Sequence, residues 1–123
     1  MGNAKQVSKE LSAFVEKLVV KLSSETTREL TKKTPRDTGF AESNWIPQIG
    51  SFNAAPVGTK ISVGLAVDAQ KKSLSLLSRY KLPKKVFIVN NVSYIVDLNE
   101  GTSTQAPSGF VQNAIAKAIK SVI

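Results

Sequence analysis

The sequence predicts an α+β domain: a small, mostly antiparallel sheet of three to four strands, packed by a long N-terminal helix and a C-terminal amphipathic helix. Three observations carry the prediction. Apolar residues recur at spacings of three and four from Val7, and they do so again from Phe110. Between those stretches the apolar period falls to two. The chain has 123 residues, 41% of them hydrophobic, and can bury about two-thirds of its unfolded surface, so a single domain over 1–123 can hold both stripes.

The first stripe, Val7, Leu11, Phe14, Val15, Leu18 and Leu22, lies on one side of a helix that Thr34-Pro35 ends. Such a helix, about 28 residues and some 42 Å long, exceeds the width of a domain this size, so part of it must project or pack on something else. Pro35, Arg36, Asp37, Thr38 and Gly39 form a turn in which Asp37 can bond backbone amides and Gly39 can take a positive φ. Ala41, Ser43 and Trp45 then alternate with polar neighbours as a strand that Pro47 interrupts. Residues 48–58 read as loop. Ile61, Val63, Leu65 and Val67 alternate cleanly and predict a second strand with one buried face.

The segment from Asp68 to Lys85 is either a short helix or a mobile insertion, and Pro83 closes it. Val86 to Val89 is a β-rich run of the kind that lies centrally in a sheet. Tyr94, Ile95 and Leu98 fit one or two helical turns or a strand, and Gly101 suits a left-handed cap or bulge. Pro107 suits a first helical position, ahead of the stripe Phe110, Val111, Ala114, Ile115, Ala118, Ile119 and Val122.

The chain has neither cysteine nor histidine, which removes disulfides, thiolate nucleophiles, the usual general base and the commonest metal ligands. Phosphate-binding glycine fingerprints are missing as well. Asp97 and Glu100 are the nearest thing to a carboxylate pair, and they read as an acidic surface turn. The expectation is a non-enzyme with no cofactor and no metal. No apolar run approaches the length of a membrane span, and the N-terminus lacks the build of a signal peptide, so a cytoplasmic chain without a membrane partner is expected.

The net charge is +8, and more than half of the excess sits in 68–85, which carries six basic residues against one acidic. Lys71, Lys72, Arg79, Lys84 and Lys85, with Leu74, Leu76, Leu77 and Tyr80 among them, form a candidate interface for an acidic protein surface or a phosphate backbone. Trp45 is a core residue or an anchor at a subunit interface.

Two motifs carry a resemblance. Thr34-Pro35-Arg36-Asp37-Thr38-Gly39, with Trp45 six residues on, resembles the T-P-x-D-T-G and small-x-W signature of the neck or tail-completion (head-tail joining) proteins of long-tailed bacteriophages. Asn90-Asn91 with Tyr94, then Glu100-Gly101-Thr102-Ser103, then Ala106-Pro107 and Phe110, is similar to the second signature of that family. Phe40 stands where a basic residue is common in the family, and the basic segment is longer than usual. The resemblance implies a structural virion protein that assembles as a homo-oligomeric ring, commonly a hexamer. Its implied partners are the head connector and the tail terminator or tail tube proteins, with DNA passing through the lumen. It also implies location in the virion neck, and in the host cytoplasm during assembly. The alternative reading is a small basic nucleic-acid-binding protein.

Overall fold

A computed structural model describes residues 2–36, 38–101 and 108–123. The elements are α1 (Gly2–Lys33), α2 (Phe40–Ser43), β1 (Ile46–Ile49), α3 (Val63–Leu76) continued by a 3-10 turn (Leu77–Arg79), β2 (Val86–Val89), α4 (Ile95–Asn99) and α5 (Phe110–Val122). The class is α+β, with two antiparallel strands among the described residues where three to four were expected. Ile46 pairs with Val89 and Ile49 with Val86.

Two predicted strands are helices, and each has a physical reason. At 41–45 the alternation was accidental, because Phe40 and Ala41 are both buried within a single helical turn. That turn is closed by Ser43 Oγ, which donates to the Gly39 carbonyl at 2.6 Å. The strand starts after it, at Ile46, and takes in Pro47, which a two-stranded sheet tolerates because every strand in it is an edge. At 61–67 the alternating reading treated Ala66 as an outward residue. Ala66 is fully buried, whereas Ile61 and Leu65 are 98% and 62% exposed. The prevailing period runs through Ala66, Gln70, Ser73 and Leu77, so the helix passes straight through Asp68, which caps nothing.

The 68–85 segment is therefore built into the fold. Its helix continues to Leu76, and Leu77 and Tyr80 are 1% and 5% exposed. Val86 to Val89 is a strand as expected, yet its four residues are only half-buried, because its one partner among the described residues is β1. Ile95–Asn99 settles as helix.

The core forms where the second half of α1 meets the other elements. Leu30, Phe40, Ala41, Trp45, Val92, Ile95, Phe110 and Ala114 make one cluster. Packing of α5 is chiefly along α1, while α3 covers β1. Small residues let the two terminal helices approach closely: Ser23, Thr26 and Thr27 on α1 are buried, as are Ala114 and Ala118 on α5. Glu29 lies 3.7 Å from Lys33 and 3.6 Å from Lys117, tying the two helices at their rim. The N-terminal half of α1 is different, since Val7, Leu11 and Phe14 are 60–63% exposed. The chain exposes 7900 Å² in total, against about 6,400 Å² for a compact domain of this mass, an excess in the direction that a projecting helix produces.

Both glycines singled out from the sequence take positive φ, +89° at Gly39 and +95° at Gly101. A Cβ at Gly39 would meet the Glu42 carboxylate at 3.3 Å, and one at Gly101 would meet Ser108 Cβ at 3.3 Å. Gly39→Val and Gly101→Val should each destabilise by about 1 kcal/mol or more in thermal unfolding. Gly64→Ala, in α3 with open space around the position, should be neutral or stabilising in the same assay. Equal melting temperatures across all three variants would refute the left-handed requirement.

Candidate functional site

The two motif segments, some fifty residues apart in sequence, meet at one junction. Pro35 stops α1, and the last turn is completed by Thr34, whose amide bonds to the Leu30 carbonyl at 3.0 Å. The Thr34 hydroxyl donates to that same carbonyl at 2.6 Å and accepts the Trp45 indole N–H at 2.7 Å. Trp45 thus finds inside the core the partner its indole requires. The Thr38 hydroxyl accepts the Phe40 amide at 3.2 Å, and Arg36 pairs with Glu42 at 3.0 Å across the turn. Asp37 lies outside the described residues, as do Thr102, Ser103 and Pro107.

Three asparagines fasten this turn to the rest of the chain. Asn44, only 2% exposed, donates to the carbonyls of Phe40 (2.9 Å) and Val57 (3.1 Å) and accepts the Val57 amide at 2.7 Å. Asn90 reaches from the second motif to the Ala41 carbonyl at 2.8 Å and accepts the Val92 amide at 3.1 Å. Asn91 holds the loop at the Asn53 carbonyl, 2.8 Å away. From α3, Gln70 donates to the Thr31 hydroxyl and to the Trp45 carbonyl, both at 2.9 Å. Asn99 secures the other end: its carbonyl accepts the Gly109 amide at 2.7 Å and its side chain accepts the Val111 amide at 2.9 Å, which caps α5.

Sequence reasoning missed Gln70, Asn44 and Asn99. The only available signal was a polar residue within an otherwise apolar pattern.

The interface candidates separate into two groups. Trp45, Leu77 and Tyr80 are buried within the subunit and cannot serve as surface contacts in this fold. Leu74 and Leu76 are half-buried, while Lys71, Lys72, Arg79, Lys84 and Lys85 are exposed. Among the described residues none of these five cations makes an ion pair, whereas Lys81 lies 3.9 Å from Glu16. Arg79 and Lys84 flank an open cleft of about 420 Å³ whose lining includes Gln48, Ile49, Ser73 and Leu76. Arg79 and Lys84 thus form one basic cleft edge, and Lys71 and Lys72 stand apart from it on α3.

Asp97 within α4 and Glu100 just after it are both exposed. Among the described residues no three His, Cys, Asp or Glu side chains gather in a way that could hold a metal ion. No described helix is long and apolar enough to cross a membrane.

Fold and site together define a small α+β domain in which the motif side chains hold the chain's own backbone in place. No protein-family model, no curated protein and no solved structure matches the chain.

Proposed function

We infer that the chain is a structural subunit of a bacteriophage neck, a tail-completion protein that assembles into a ring between head connector and tail, with DNA passing through its lumen. One observation carries the reading. The two separated, family-like motif segments converge on a single core, in which Trp45 of the first and Phe110 of the second share one cluster with the intervening Phe40, Ala41, Val92 and Ile95. A signature whose residues fasten the fold suits a building block, because assembly needs a rigid subunit more than it needs reactive groups. The basic surface of Lys71, Lys72, Arg79, Lys84 and Lys85, without an ion pair among the described residues, supplies a face for neighbours.

The alternative, a nucleic-acid-binding protein, draws on the same exposed cations. Fluorescence anisotropy with a random duplex across a salt series separates the two. A lumen that DNA only passes through predicts weak binding at physiological salt. Tight binding with a steep salt slope would overturn the ring reading, because such a slope counts neutralised phosphates.

A further inference from the structure

The projecting half of α1 carries an apolar stripe that its own domain does not cover. Val7, Leu11, Phe14 and Leu18 are 62%, 60%, 63% and 39% exposed. Their spacings of four, three and four are those of a coiled-coil seam. At about 100° per residue the stripe lies half a turn from Glu16, Ser23 and Leu30. Those are the residues that face the domain: Glu16 accepts the Leu82 amide at 2.9 Å, and Ser23 and Leu30 are buried. The stripe therefore points away from the body along its whole length.

We propose that this stripe pairs antiparallel with the same stripe of a second copy, giving a two-fold dimer through the N-terminal half of α1. The flanking charges select both the occupant and the direction. Glu10 and Lys17, both exposed, occupy the same flanking position of successive heptads, each directly before a seam leucine. With Leu11 set against Phe14 of the second copy and Val7 against Leu18, Glu10 of each copy falls beside Lys17 of the other, twice by symmetry. Glu10 accepts the Gln6 amide at 2.9 Å through one carboxylate oxygen. A parallel pair would set both charges against Val15 and Leu22 and would leave them unmatched. Lys21, one heptad beyond Phe14, ends the seam after four layers. The antiparallel arrangement also places the two bodies at opposite ends, where they do not collide.

A four-layer seam of about 17 Å is small for a protein interface, so the dimer is weak and reversible, forming at micromolar concentrations. It also gives the first half of α1 the packing that a helix of this length needs in water. A two-fold contact closes on itself and cannot generate a ring, so the pairing is independent of the neck reading.

Sedimentation equilibrium tests the pairing. The unmodified chain should show a monomer–dimer equilibrium, and Leu11→Glu or Phe14→Glu should leave a monomer whose melting temperature matches that of the unmodified chain at concentrations too low for pairing, since both side chains are exposed. Glu10→Lys alone and Lys17→Glu alone should each weaken the dimer about tenfold. Both changes in one chain should restore it, and mixing the two single variants should yield heterodimers. With no native cysteine, a spin label at Lys5→Cys reports direction. An antiparallel pair separates the labels by more than about 20 Å, whereas a parallel one brings them to about 10 Å. A monomer up to several hundred micromolar, a double exchange no better than either single, or labels at the short distance would each overturn the proposal. A ring that persists in the Leu11→Glu variant would leave the neck reading standing while the pairing is judged on its own.

Discussion

Trp45→Ala is expected to destabilise the protein by about 3–5 kcal/mol, the range for removing a buried aromatic side chain. Two losses combine. The indole packs in the central cluster at 7% exposure, and its N–H is the donor to the Thr34 hydroxyl that closes the last turn of α1. Trp45→Phe keeps most of the packing and loses only the hydrogen bond, because Thr34 still donates to the Leu30 carbonyl; it should cost about 1–2 kcal/mol. The gap between the two variants in urea unfolding measures packing against polar fastening. Equal losses would mean that the indole hydrogen bond, not the core contact, holds the turn to the domain. Against a total stability of about 5–15 kcal/mol, Trp45→Ala removes a large share.

Asn44→Ala should cost about 2–4 kcal/mol, because it strands the Val57 carbonyl and amide and takes from the Phe40 carbonyl its shorter partner, leaving only Ser43 Oγ at 3.3 Å. Asn44→Asp is the sharper variant. At pH 7 its carboxylate would face two carbonyl oxygens in a site 2% exposed, so the folded state would favour the protonated acid and raise the carboxyl pKa above its unfolded value. Stability is then greatest below the unfolded pKa of about 4 and is lost as pH rises through the folded one. Melting temperatures of Asn44→Asp and the unmodified protein should therefore converge as pH falls from 7 toward 4. A constant difference over that range would show that position 44 carries no charge penalty.

The parts of the fold that could be read from sequence are those where one period runs long enough to exclude the other. The stripe from Val7 and the stripe from Phe110 each persist for three turns or more, and both are helices. Val86 to Val89 has four β-rich residues and is a strand. The failures at 41–45 and 61–67 share a cause: over five to seven residues, strict alternation and a helical face differ in only one or two positions. Ala66 settled the second case through its size, since a small side chain that looks outward in a strand is the one that lets α3 lie against its neighbours.

The junction was only half legible. Its turn glycine, its proline and its tryptophan announced themselves by type. The polar clamps did not, because the partners of Gln70, Asn44, Asn90 and Asn99 are mostly backbone groups, which every residue has, at separations up to 49 residues. Burial also sorted the basic segment in a way that composition could not. Leu77 and Tyr80 turn inward while Lys71 and Lys72 on α3, and Lys84 and Lys85 in the loop before β2, remain in solvent.

Negative-stain electron microscopy of the purified chain carrying Leu11→Glu tests the central reading most directly, because that background removes pairing through α1 and leaves ring contacts to act alone. Closed rings are expected, with a central hole wide enough for a DNA duplex and one rotational symmetry across the particle set. Dispersed monomers at every concentration, combined with tight, salt-steep duplex binding in the same preparation, would contradict it.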